Sequence, residues 1–280
     1  MDVWINWINV LKILDTQMPT PPGFGIFHIV FLALMVLSTV YLCVWRKNDS
    51  FDRVRKTVRI VAIIVIILEI YKLINYSFSY ADGKITYDFQ WYIFPFQFCS
   101  TPMYVGLLAG LTKKGKVHNA LCAYLATFAI FAGLAVMIYP GDVFTSTAGI
   151  NFQTMICHGT MLPIGAYLYA TGHVKLEHKT ILKALCVFAV TVGIAMILNE
   201  IAHASGLLER ENFNMFYISP YQAPHLPVYS NVQAVVPYPL SLIIYIAGFT
   251  AAAYIMLLAA MGIHRLATGK KKAEAVTASN

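Results

Sequence analysis

Residues 91–111 read WYIFPFQFCSTPMYVGLLAGL, and this stretch decides the fold. About 20 apolar residues in helical form reach across roughly 30 Å of hydrocarbon, so its length and composition suit a bilayer. Pro95, Gln97, Cys99, Ser100 and Pro102 interrupt the run with groups that lipid does not favour. On a helical wheel Pro95, Cys99, Pro102, Gly106 and Gly110 share one narrow, small-sided face, suited to other helices rather than to lipid. Each proline removes a backbone N–H near Cys99, and the freed carbonyls need protein or water beside them. A thiol in such a disrupted, hydrated turn is a candidate for chemistry.

Outward from that stretch, the chain is too apolar for a soluble domain: 59% of its 280 residues are hydrophobic and 12% are charged. The expected fold is all-α, a polytopic seven-transmembrane-helix bundle with spans near residues 23–45, 57–76, 91–111, 119–139, 151–171, 181–203 and 238–262. Basic residues sort between the linkers. Arg46, Lys47, Arg53, Arg55 and Lys56 follow the first span, Lys113, Lys114 and Lys116 the third, and Lys175 and Lys179 the fifth. The alternate loops carry only Lys84 and Arg210. The positive-inside rule then places the N-terminus outside and the C-terminus in the cytoplasm of a multi-pass cell-membrane protein. The net charge of +7 lies in these short clusters, so it does not read as a nucleic-acid signal; it implies anionic lipid at the cytoplasmic face.

The segments flanking the bundle (23–262) have their own character. Residues 1–22, with Trp4 and Trp7, read as an interfacial segment lying at headgroup depth, and residues 263–280 as a basic cytoplasmic tail. The outer loop 205–237 is long and aromatic, stiffened by Pro220, Pro224 and Pro227, and reads as an ordered lid over the outer mouth. All five cysteines fall inside spans, which argues against an extracellular disulfide framework.

With that topology, a rise of about 1.5 Å per residue converts position into depth. Cys99 lies about 12 Å below Trp91, and His158 about 10 Å below Asn151. Glu69 stands at similar depth with Lys72 one turn nearer the surface, and Asn199 and Glu200 sit about one turn inside His203. Ionisable groups in a membrane are costly and face cavities, so this polar layer is a candidate site. Each member also has a plainer role: Glu69 and Lys72 as an ion pair between helices, His158 as a packing residue, Cys99 as a small hydrophobe.

A thiol and an imidazole at one depth suggest nucleophilic chemistry in which a neutral His takes the thiol proton and the thiolate attacks a carbonyl. Lys72 is placed to favour the thiolate, and Gln97 or Ser100 to donate to an oxyanion. The sequence offers both Glu69 and Glu200 to orient His158. Cys157 lies about 100° round the helix from His158 and is the weaker nucleophile candidate. No second Cys or His stands at metal-ligand spacing from Cys99, so no metal or other cofactor is expected.

At these residues the chain resembles a known family. Phe94-Pro95-Phe96-Gln97-Phe98-Cys99-Ser100 is similar to the Leu-Pro-x-x-x-Cys-Ser/Asp signature of the bacterial YwaF-like integral membrane proteins, relatives of the vertebrate transmembrane protein 164 acyltransferases. Met155-Ile156-Cys157-His158-Gly159 resembles the family's His-Gly marker, and Asn212-Phe213-Asn214-Met215-Phe216-Tyr217 its Asn-Tyr-Met-Tyr-Leu segment. Phe213 replaces the usual Tyr, and Gln97 stands where His is frequent. The resemblance implies a cysteine-dependent transfer of acyl chains between phospholipids and lysophospholipids, with Cys99 and His158 as the motif pair and Asn214 and Tyr217 in support. The competing expectations are a small-solute or proton-coupled transporter that uses the same polar layer, and a ligand-binding receptor that uses the lid without chemistry.

Overall fold

The computed structural model describes residues 6–223, 226 and 228–277. Trp4, Pro224 and Pro227, used in the sequence reading, lie outside the described residues.

Helix α1 (Trp7–Leu14) starts at Asn6, whose side chain accepts the Asn9 N–H at 3.4 Å. It is strapped to α3 (Phe51–Ser77) through the Leu14 carbonyl, which accepts from Tyr71 Oη at 2.7 Å and Asn75 Nδ2 at 3.2 Å. Between them runs α2 (Ile26–Trp45), and Ser50 caps α3 by accepting the Arg53 N–H. A hairpin of β1 (Phe78–Ala81) and β2 (Lys84–Tyr87) follows α3. Its turn residues Asp82 and Gly83 both have positive φ, 49° and 73°, which is the backbone of a type I′ turn. The all-α expectation omits this hairpin, although Asp-Gly between short β-favouring runs is its sequence signal.

The expected helix from residue 91 is not there. Trp91–Ile93 forms one 3-10 turn, the chain then runs irregularly through Cys99, and α4 occupies only Thr101–Leu111. Pro95 cannot donate within a helix, whereas Pro102 stands in the first turn of α4, where no N–H is required. The Pro95 carbonyl accepts the Tyr104 hydroxyl at 2.9 Å, so protein supplies the partner that hydrocarbon lacks. Pro95 and Cys99 are therefore not on a helical face with Pro102, Gly106 and Gly110. That small face of α4 meets α3: Gly110 lies against the Arg59 backbone and Gly106 against Ala62.

Helices α5 (Lys116–Leu125) and α6 (Phe128–Ile138) form one kinked rod, bent at Ala126–Thr127, and pass through the centre of the bundle. Helices α7 (Ala148–Gly159) and α8 (Met161–Ala170) are divided at Thr160. Then come α9 (Thr180–Ala204), the short α10 (Tyr229–Val235) and α11 (Tyr238–Thr277). Among the described residues four helical stretches are long and apolar enough to cross a membrane: Ile26–Trp45, Lys116–Ile138, Thr180–Ala204 and Tyr238–Thr268. The other three expected spans fall short on their own. Arg59, Glu69 and Lys72 interrupt α3, α4 has 11 residues, and the fifth span is split in two.

The core is aromatic. Phe128 and Phe188 stack at 4.4 Å, and Phe188 also meets Phe98, Phe216 and Phe249. One end of the bundle carries the basic linkers. There Asp49 is gripped by Arg46 at 2.6 Å, Arg53 at 3.3 Å and the Tyr167 hydroxyl at 2.6 Å. The opposite end carries the loop 205–237 and the polar layer.

Candidate functional site

Two side-chain amides anchor the loop 205–237 where it enters the bundle. Gln97, in the irregular turn before α4, donates from Nε2 to the Asn214 carbonyl at 2.9 Å and accepts the Phe216 N–H at 2.8 Å. Asn199, buried on α9, donates to the Met215 carbonyl at 3.1 Å and accepts the Met215 N–H at 2.8 Å. Asn214 in turn accepts the Ser219 N–H at 2.9 Å. Between these clamps Phe216 and Tyr217 hold φ of 59° and 56°, a left-handed backbone that costs non-glycine residues of order 1–3 kcal/mol each. The strain is imposed from outside: Phe216 is fully buried against Phe96 and Phe98. It turns Tyr217 toward the Cys99 turn, close enough for the two to interact electrostatically. A polar pocket of about 450 Å³ opens here, lined by Tyr92, Gln97, Asn212, Asn214, Tyr217 and Gln222.

Ser100 closes the Cys99 turn by accepting the Gln97 N–H at 2.9 Å and donating to the Gln97 carbonyl at 3.1 Å. Both expected oxyanion donors, Gln97 and Ser100, thus spend their side chains on structure.

On α3 and α7 the buried polar groups form a chain. Lys72 Nζ pairs with Glu69 at 2.5 Å, Gln153 Nε2 donates to the other Glu69 oxygen at 3.1 Å, and Gln153 also lies 3.5 Å from Cys157 Sγ. Lys72 is the shared cation: its charge reaches Cys99, Cys157 and His158, and the charge of Glu69 reaches both thiols. Sequence reasoning overlooked Gln153, although its one-turn spacing from Cys157 puts the two on one face.

Neither acid orients His158. Its Nδ1 lies 2.8 Å from the Thr154 carbonyl one turn back, so Nδ1 carries the proton and Nε2 is left as an acceptor. That Nε2 is buried and has no hydrogen-bond partner among the described residues. Glu69 is engaged by Lys72 and Gln153, and Glu200 lies exposed with the Tyr221 hydroxyl 2.8 Å away. Tyr221 stacks on His203 at 3.6 Å, so Glu200 belongs to an outer latch of the loop rather than to the buried layer. These elements thus carry a held imidazole whose Nε2 has no partner among the described residues, two thiols and the Glu69–Lys72 pair.

Comparison with curated proteins and with solved structures returns no match. The sequence profile of the TMEM164 family, in contrast, matches residues 23–260, from the start of the first span to within the last helix. Pro95, Cys99, His158 and the 212–217 segment all fall inside the match, and the chain belongs to the TMEM164 family of membrane proteins.

Proposed function

We propose that the protein is a membrane-embedded lipid acyltransferase that moves a fatty acyl chain between glycerophospholipids through a Cys99 thioester, in a YwaF-like branch of the family. The supporting observation is the buried Nε2 of His158, which has no hydrogen-bond partner among the described residues while Nδ1 is held by Thr154. His158 Nε2 takes the Cys99 proton and the thiolate attacks an ester carbonyl of a phospholipid. His158 returns that proton to the departing lysophospholipid oxygen, leaving the acyl chain on sulfur. A second lysophospholipid hydroxyl gives its proton to His158, attacks the thioester, and the thiol re-forms. Water in place of that hydroxyl makes the same site a hydrolase.

The membrane frame is part of this reading. Residues 51–77, 91–111 and 148–170 complete seven passes, with the basic end cytoplasmic, because packed neighbours satisfy groups that each segment alone would expose to lipid. Below the polar layer the space between α3, α4 and α8 is about 40 Å³, walled by Val58, Val65, Met103, Gly106 and Ile164. A space that small and apolar has room for a few waters at most, which speaks against a solute path through this part of the bundle.

The test is intact mass after incubation with a phospholipid carrying a labelled acyl chain. A hydroxylamine-sensitive adduct is expected in wild type and Cys157→Ala and absent in Cys99→Ser. Lipid turnover undiminished in Cys99→Ala overturns the assignment.

A further inference from the structure

A second space lies on the opposite flank of α4. It is a groove of about 330 Å³ between α4, α5 and α9, walled by Tyr104, Leu108, Val117, Leu121, Val190 and Ile194. Its hydroxyl groups are all engaged. Thr101 Oγ1 bonds the Phe98 carbonyl at 2.9 Å and the Tyr124 hydroxyl at 2.7 Å, Tyr104 bonds Pro95, and Thr191 bonds the Phe188 carbonyl at 2.8 Å. A bound water needs two to four polar partners, so the groove suits hydrocarbon. The groove also has direction. Cys186 to Ile194 along α9 covers about 12 Å, parallel to a helix that is itself long enough to span a bilayer.

What meets the groove at its far end decides the occupant. Phe96 lines the groove, and the next residue, Gln97, lines the polar pocket under the loop 205–237. Adjacent residues are about 3.8 Å apart along the chain, so an apolar channel and a polar pocket adjoin at the turn that carries Cys99. That is the shape of an amphiphile.

We propose that the groove between α4, α5 and α9 holds one fatty acyl chain of a membrane phospholipid whose polar end lies in the pocket of Gln97 and Asn212. Chain occupancy needs no chemistry at Cys99; only the destination of the chain rests on the acyltransferase reading. Leu108, Val117, Val190 and Ile194 are exposed along the groove and stand free for such a chain.

Lipid retained by the purified protein, counted per chain by mass spectrometry, tests this. Wild type and Cys99→Ala are expected to retain one phospholipid, and Leu108→Trp and Val190→Trp, which fill the groove from exposed positions, to lose it several-fold. Ile243→Trp, at an exposed site on α11, keeps it. As a second measurement independent of tryptophan, added phospholipid should slow maleimide labelling of Cys186, an exposed thiol on the groove wall. Equal retention in the tryptophan variants overturns the assignment, as does a dimer in solution that shields Cys186 without lipid. Lipid retained by Cys99→Ala with no acyl adduct in wild type sinks the catalytic reading and leaves the groove assignment standing.

Discussion

Gln97 holds Phe216 by its backbone: the Gln97 Oε1 accepts the Phe216 N–H at 2.8 Å, across 119 residues of chain. The other end of the same amide holds the Asn214 carbonyl, and Asn199 grips Met215 between them. The loop is thereby fixed at its root, and the left-handed pair Phe216–Tyr217 is kept in place by bonds to the irregular turn at Gln97 and to helix α9.

The amide clamp predicts a local effect. Gln97→Ala leaves the Phe216 N–H and the Asn214 carbonyl buried and unpaired, at a cost of roughly 2–4 kcal/mol. Hydrogen exchange should rise over residues 212–219 while the basic end stays protected. Because Asn199 acts on the same segment, the double variant Gln97→Ala/Asn199→Ala should cost less than the sum of the two singles. Strict additivity would show that the two amides do not share one element.

How much of this was legible beforehand follows from where each signal resides. The long apolar helices α2, α9 and α11 are written in local hydropathy, and so is the basic end. The irregular course from Trp91 to Ser100 is written in Pro95 and Pro102, yet hydropathy over the same residues reads as helix, and the helix begins only at Thr101. Cys99, His158, Glu69 and Lys72 stand out because ionisable groups are rare in apolar runs. The tasks of Gln97 and Asn199 are set by contacts with residues 214–216, which no local pattern encodes. The preference of Glu69 for Gln153 over His158 is equally non-local.

The Glu69 carboxylate is buried and engaged on both oxygens, by Lys72 and by Gln153. Glu69→Ala strands a cation and an amide, and breaking such a buried pair costs about 3–5 kcal/mol. Glu69→Gln keeps an acceptor for Gln153 and should cost distinctly less, which thermal midpoints in one detergent would read. Equal midpoints for the two variants would mean that the Gln153 contact contributes nothing.

The position of His158 depends on a glycine across the bundle. A Cβ on Gly133 would stand 2.6 Å from the His158 carbonyl and 2.7 Å from Met161 Cβ, and neither atom belongs to a flexible side-chain end. Gly133→Ala should therefore destabilise by about 1–3 kcal/mol and lower any turnover by shifting the imidazole. Gly193→Ala is the control: nothing lies within 4 Å of its added Cβ, and alanine is the better helix former, so stability should hold or rise. A neutral Gly133→Ala would refute the close approach of α6 to the α7–α8 break.

Asp49 gives the basic end a pH dependence of defined sign. Desolvation pushes its carboxyl up, but the Tyr167 hydroxyl and the Arg46 and Arg53 guanidinium groups outweigh it and hold the carboxyl below its ordinary 3.8. A group depressed in the folded state contributes its stability above the unfolded pKa and loses it as pH falls through the folded value. The thermal midpoint should accordingly be insensitive to this group near neutrality and decline below roughly pH 4. Asp49→Asn should lower the midpoint at pH 7 and flatten the acid limb, because no carboxylate is left there to protonate. Tyr167→Phe removes one hydrogen bond to a charged acceptor, about 1.5–3 kcal/mol, and should fall between wild type and Asp49→Asn. An acid limb as steep in Asp49→Asn as in wild type would move the pH sensitivity elsewhere in the chain.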